Sequence, residues 1–507
     1  MLVTAPCYRS IRIVLPPGAP RKVSRQHHQG AGTWLTPLLA SAAGTVLLLA
    51  KSRHGSTPFQ AAMAFALVAI PCFAYADWRR TRRSQIPLFA VLAAAHAVFY
   101  CFSVFWTDLL DEPAGKTATA VLGMALSGVC GLFIGMRLGA SQLVVRRVNL
   151  PDVPSDTHNW WLIRAIAACQ AIVPFLPVGS GGDFRQLIAI ALSFIPLVAF
   201  LILWDATLRG KATSIDKVLV VVFLAASVVG GLASGWLGSC VGTFVLASIA
   251  FVRVRRRIPV IPLAGIVLAM LFLQGGKSAF RERYWYGTDG AGPVEKARFW
   301  IEKSAERLMA FTVQPGGDAF RDSFEEPLLT RSSLVTEAAT VYENTPSAVP
   351  YQYGATYEYL LITLIPRFLW PTKPSVNDSN RLYQLSYGVT QQEDLDHVAI
   401  GAGLIPEAYM NFGWIGIPFV MCLAGVILGV FERIFLGQRA GTFASAVGLA
   451  YVLQLLSLNG QAAAYFGGMI QIIGLTMVIF LPGLRFQVHS SPARLQWRAR
   501  PRSEVLA

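Results

Sequence analysis

The chain has 507 residues, of which 54% are hydrophobic and only 14% charged, with a mean hydropathy of +0.50. That balance excludes a soluble protein of this size and describes a polytopic membrane protein. The formal net charge of +15 would suit a nucleic-acid partner, but the distribution of Lys and Arg along the chain argues against one.

A bilayer core asks for about 20 apolar residues per helix. Twelve segments meet that length, at 33–50, 58–76, 86–106, 117–136, 160–178, 187–204, 217–233, 236–252, 258–274, 412–431, 441–459 and 462–482. Alternate loops, counted from residues 1–32, carry 26 Lys and Arg, whereas the short loops between them carry four. This inside-positive bias places both terminal segments in the cytoplasm and removes the need for nucleic acid. It also reads "DWRRTRRS" and "RVRRR" as topology determinants, with a lipid-headgroup site as the alternative. The first apolar run follows about thirty polar residues and lacks a small-residue cleavage site, so it reads as an uncleaved anchor. Of seven cysteines none falls in an outward loop, which supports neither a disulfide framework nor a Cys-based zinc site.

The expected fold class is therefore an all-α membrane protein of about twelve transmembrane helices with one large outward loop. Residues 1–32 form a basic tail, 33–274 nine helices, 275–411 the loop, 412–482 three helices and 483–507 a second basic tail. Loops of this length that are not linkers are usually functional. Within it, "VEKARFWIEKSAERLMAFTV" (294–313) predicts an amphipathic helix with Ala297, Ile301, Ala305, Leu308 and Phe311 on its apolar stripe. The run 356–370 is too short to cross a bilayer and reads as re-entrant or interfacial. The glycines of "GGLASGWLG" (230–238) predict a tight hairpin.

Outward-facing histidines are scarce, so a triad or a histidine metal cage is not supported. "EDLDH" (393–397) gathers four potential ligands, for which an exposed acidic turn is the simpler reading. The cations are more informative. Lys277 and Arg281 are four residues apart and share a face if the ninth helix continues. Arg331, Arg367 and Lys373 recur along the loop, and prolines 366 and 371 bracket Arg367. Arginine forks grip phosphate in bidentate fashion and lysine supplies a point charge; the competing reading is of cations that snorkel at the interface. Glu407 and Asn411, spaced i, i+4, can together orient and deprotonate a hydroxyl, or serve as a helix N-terminal charge and a cap.

These residues carry a resemblance. "NTPSAVPYQYGATYEYLLITLIPRFLWPTKP", followed by Asn380, Gly388 and "IPEAYMNFGWIG", resembles the Wzy-type oligosaccharide repeat-unit polymerases of O-antigen and exopolysaccharide synthesis. "KSAFR" after the ninth helix and "RSSL" at 331 are similar to upstream elements of that family, and the likeness covers residues 275–420. It implies a GT-C-like helical fold shared with O-antigen ligases. It implies inverting, metal-independent glycosyl transfer at the periplasmic face of the inner membrane, with no cofactor. The donor would be a glycan on undecaprenyl diphosphate and the acceptor a new lipid-linked repeat unit. A chain-length regulator and a flippase are the protein partners it implies.

Under that resemblance Arg281, Arg367 and Lys373 are expected to hold the diphosphate, with Lys277 and Arg331 as second choices. Tyr351, Tyr357, Asn380 and Asn411 are expected to bind sugars. Glu407 is expected to activate the acceptor hydroxyl, with Glu358 or Asp396 as replacements. A ligase, using His397, and a flippase are the rival readings. A flippase would need charges deep within the helices, and most of the charges here sit at helix ends, as Arg164 does.

Overall fold

The computed structural model describes residues 32–485 apart from 51, 53–54, 111–114, 142–143, 145–147, 149, 173–182, 258, 286, 288–289, 314–332, 364, 366–369, 371, 376 and 396–399. Among the described residues the backbone is helical without strands; two isolated antiparallel bridges join Ser84 to Gly437 and Asp152 to Arg485.

In chain order the helices are α1 Gly32–Ala50, α2 Pro58–Thr81, α3 Leu88–Trp106, α4 Lys116–Gly139, α5 Trp161–Cys169, α6 Asp183–Leu208, α7 Ser214–Ser234 and α8 Leu237–Arg255. They continue with α9 Val260–Tyr284, α10 Pro293–Val313, α11 Val335–Asn344, α12 Ala355–Thr363, α13 Asp378–Ser386, α14 Leu404–Phe435, α15 Thr442–Leu455 and α16 Ala462–Phe480. Eight segments are long and apolar enough to cross a membrane, on α2, α3, α4, α6, α7, α9, α14 and α16. Each of the twelve predicted segments contains helix, but not each contains a full span. In 160–178 the described helix, α5, has nine residues, about 14 Å at 1.5 Å per residue, half of a bilayer core.

Local sequence explains several helix ends. Thr57 with Gln60 and Thr213 with Asp216 form capping boxes that open α2 and α7, each satisfying two otherwise orphaned N–H groups. Gly235, at φ 72°, closes α7 and turns the chain into α8, the tight hairpin expected from the glycine run. In lipid there is little hydrophobic drive between helices, so close backbone approach by small residues holds them together. Gly131, Gly135 and Gly139 of α4 meet α14 in that way. A Cβ on Gly135 would lie 2.0 Å from the Cys422 carbonyl oxygen, and one on Gly139 would lie 2.1 Å from that of Val426.

The basic loops gather at one end of the bundle and interlock there. Arg137 pairs with Asp77 at 2.6 Å, Arg164 with Asp216 at 2.7 Å, and Arg253 with Asp205. Arg253 also donates to Gln85, and Arg433 donates to the Ala140 carbonyl. With the bridges Ser84–Gly437 and Asp152–Arg485, these contacts connect six of the seven positive loops. The alternation read from charge is therefore consistent with the helix packing.

The opposite end carries the large loop. α9 runs ten residues past the expected boundary at 274, so Lys277 and Arg281 do share a continuous helix. α10 is helical as expected, and the face it packs against the bundle holds one residue of the predicted stripe, Ala297. Ala297, Trp300 and Ser304 are buried, whereas Ile301 and Leu308 are exposed. The reason is Gly276 on α9, whose missing side chain lets the α10 backbone approach; a Cβ there would meet the Ser304 nitrogen and the Trp300 carbonyl oxygen, both at 2.8 Å. Trp300 then donates its indole N–H to the Leu273 carbonyl at 2.8 Å. α12 has nine residues, too short to cross, as expected of the run 356–370, part of which lies outside the described residues.

Candidate active site

At the end opposite the basic loops, α14 begins at Leu404 and is broken at Gly413, where φ is 63° and ψ −154°. The expected loop boundary at 411 thus falls at a kink, with Glu407 and Asn411 on the helical turns before it. The break frees the carbonyls of Met410 and Asn411, which a continuing helix would occupy. They accept instead from Gln352 N–H at 3.0 Å and Tyr353 N–H at 3.2 Å. Asn411 completes the attachment: its Oδ1 accepts from Gly354 N–H at 2.8 Å, and its amide donates to Thr356 Oγ1 and to the Glu407 carbonyl. Its described contacts are therefore internal ones, which pin residues 352–356 onto α14.

Glu407 is fully buried. Its Oε2 accepts the backbone N–H of Ala462, the first residue of α16, at 2.6 Å. A helix start leaves N–H donors unpaired and its dipole favours a carboxylate, so Glu407 caps a helix other than its own. Its Oε1 meets no donor at full hydrogen-bond geometry among the described residues, while the Thr356 hydroxyl, which accepts from Asn411, is a weak hydrogen-bond donor to the carboxyl group. Of the alternative carboxylates, Glu358 is exposed on α12 and Asp396 lies outside the described residues.

Further orphaned polar atoms surround this point. Tyr357 stacks on Phe412, centroids 6.1 Å apart and planes at 9°, and its buried hydroxyl has no partner among the described residues. Burial pushes that phenol well above its ordinary range, and the Glu407 charge raises it further. Gln461, directly before Ala462, is completely buried, and neither amide atom has a partner among the described residues. Asn380 donates to Asn377 Oδ1 at 2.8 Å while its own Oδ1 has no partner among the described residues. Gly401 lies between Asn380 and Asn459, since a Cβ there would meet Asn380 Oδ1 at 2.9 Å and the Asn459 carbonyl oxygen at 2.3 Å. Buried polar groups without partners are uncommon in folded chains, and several occur here together.

Tyr351 packs against the kink; a Cβ on Gly413 would meet its hydroxyl at 3.0 Å. Lys373 is buried and donates to the Ile365 carbonyl at 2.8 Å. Lys277 and Arg281 lie on the stretch of α9 that packs with α7, α8 and α10 in a separate apolar cluster. Lys277 is buried there, and the Arg281 guanidinium stacks 4.2 Å from the Trp285 ring centroid with Nε buried and unpartnered. Arg331, Arg367 and His397 lie outside the described residues. Sequence reasoning missed Gln461, although the Asn-Gly turn before it, in "LNGQAAA" (458–464), marks a helix start. It also missed Glu337 on α11, whose carboxyl burial pushes up.

Eight spanning-length helices, with a buried carboxylate and orphaned amides at one end, define a polytopic membrane protein whose candidate site lies at the mouth of the bundle. The family model for O-antigen polysaccharide polymerase Wzy matches residues 182–481, and the chain belongs to that family of membrane polymerases. The match includes each candidate residue from Lys277 to Gln461. No curated protein and no solved structure matches the chain.

Proposed function

We propose that the protein joins oligosaccharide repeat units carried on undecaprenyl diphosphate, at the periplasmic face of the inner membrane. By the inside-positive rule the end holding the interlocked basic loops is cytoplasmic, together with residues 1–32 and 483–507. The mouth with Glu407 is then periplasmic. The observation that carries the reading is the Glu407 carboxyl, which is buried, anchored through one oxygen and, among the described residues, met at the other by no more than the weak Thr356 donor.

Glu407 Oε1 accepts the proton of the acceptor sugar hydroxyl as that oxygen bonds to the anomeric carbon of the donor. The bond from this carbon to the diphosphate breaks, its electron pair leaves with the diphosphate, and the configuration inverts. Arg367 and Lys373 stabilise the departing charge, with Arg331 behind them, in the place a metal ion takes in other phosphate chemistry; Arg281 and Lys277, beside the separate α7–α10 cluster, add only the longer-range attraction of their charge. Removal of one preorganised donor to developing charge costs about 2.7–4 kcal/mol. Gln461, Asn380, Tyr351 and Tyr357 present hydrogen-bonding groups and ring faces to the sugars, and Asn411 keeps the turn at 352–356 in place.

The test is purified protein with lipid-linked repeat units, with and without chelator. A ladder of polymer is expected in both, and Arg367→Ala should reduce it by about 10²-fold or more at unchanged protein abundance. Transfer of finished glycan to a different acceptor would instead indicate a ligase, and near-normal polymer in the variant would remove Arg367 from the leaving-group site.

A further inference from the structure

A cavity of about 770 Å³ opens at the basic end, among the last turns of α2, α4 and α14 and the start of α3. Its ionisable lining is Arg83, Arg137, Arg433 and Arg439 against Asp77 and Glu432. Three helix C-termini each add about half a negative charge and one N-terminus about half a positive one. The four guanidinium groups therefore leave a positive surplus of about one charge.

The arginines are held ready for a ligand. Arg137 Nη2 is fixed by Asp77 at 2.6 Å, and its guanidinium lies 5.0 Å from the Phe133 ring centroid. Arg433 Nη1 donates to the Ala140 carbonyl at 2.6 Å. A guanidinium has five N–H donors, so these contacts orient each fork and leave donors over. Arg83 and Arg439 are exposed on the turns at the rim. Below the arginines the wall turns apolar: Phe89 and Phe133 pack with centroids 5.0 Å apart, and Phe133 remains 38% exposed on the outer surface of the bundle.

We infer that this cavity binds the phosphate group of an anionic lipid, with the lipid chain lying along the Phe89–Phe133 wall. The forks match phosphate oxygens in number and plane, the ends of the helices set the cavity at headgroup depth, and the apolar wall leads from it towards the hydrocarbon. A soluble anion would need the forks alone. The site stands apart from the glycosyl-transfer mouth, so it is a place for a lipid that supports or tunes the enzyme from the other leaflet.

Native mass spectrometry of the purified full chain tests this after incubation with phosphatidylglycerol, a polyprenyl phosphate, phosphatidylcholine or inorganic phosphate. The expected result is one anionic lipid retained per chain in preference to phosphatidylcholine, and the stronger of the two anionic arms identifies the lipid class. The variant R83Q/R439Q, altered only at the exposed rim, should lose about thirtyfold in affinity, two arginines at roughly 1 kcal/mol each. R137Q should lose retention as well. Equal retention of phosphatidylcholine, unchanged retention in both variants, or full displacement by inorganic phosphate would overturn the inference. Each readout is independent of polymer synthesis, so it stands or falls separately from the proposed reaction.

Discussion

Asp152 and Glu407 do the same structural job at opposite ends of the molecule, and the difference between them shows where chemistry belongs. Asp152, in a basic loop, caps α15: Thr442 N–H donates to one oxygen at 3.0 Å and Phe443 N–H to the other at 2.8 Å, with Val153 N–H adding a third bond. Glu407 caps α16 with a single bond, and among the described residues its second oxygen has no partner at full hydrogen-bond geometry, only the weak Thr356 donor. A carboxylate that needed only to cap would engage both oxygens, as Asp152 does, because an unpaired buried acceptor costs about 1–3 kcal/mol. That cost persists at Glu407, beside the likewise unpaired Gln461 and Tyr357, and a polar ligand that fills the mouth would offset it.

The largest effect that would break the comparison is Glu407→Gln. The amide oxygen can still accept from Ala462, so the cap survives while the base is lost. Polymer formed from lipid-linked units should fall by about 10²-fold or more, the usual contribution of a general base, with little change in thermal stability. A normal ladder from this variant would reduce Glu407 to a second Asp152.

Much of the fold was legible in the sequence because it rests on local signals. Apolar length located the helices, and the loops counted as basic prove to be neighbours, as where Arg253 reaches both Asp205 and Gln85. The pairing of Lys277 with Arg281 on one helix was equally local. What stayed hidden depends on contacts distant in sequence. The face that α10 buries is chosen by Gly276 of another helix, not by its own apolar stripe. The i, i+4 spacing of Glu407 and Asn411 left a base and a cap equally open, because the decisive partner, Ala462, is 55 residues away. Asn411 was read as a sugar ligand, and only its bonds to residues 354 and 356 reveal how it holds the turn.

A smaller effect sharpens the same contrast at Gln461. Replacing it with Leu removes two unpaired polar atoms from a buried position, so thermal stability should hold or rise. If the amide meets sugar hydroxyls, the concentration of lipid-linked substrate for half-maximal polymerisation should increase about tenfold, the worth of a hydrogen bond or so. Lower stability with an unchanged half-maximal concentration would make Gln461 a structural cap and leave Glu407 alone in the mouth.

The smallest effect should come from Asp152→Ala. It strips the cap from α15 and should cost about 1 kcal/mol, within the 0.5–2 kcal/mol usual for a lost N-cap, visible as a lower melting temperature in detergent. Polymer made per folded molecule should be unchanged, because the lost bonds lie at the basic end, opposite Glu407, and each of its oxygens was engaged in folding alone. A fall in polymer out of proportion to the loss of folded protein would mean that the two ends are coupled through α14, whose C-terminal turn meets the basic loops and whose first turn carries Glu407. In that event the carboxylate at the mouth would depend on the loops opposite it, and the two ends would form one functional unit.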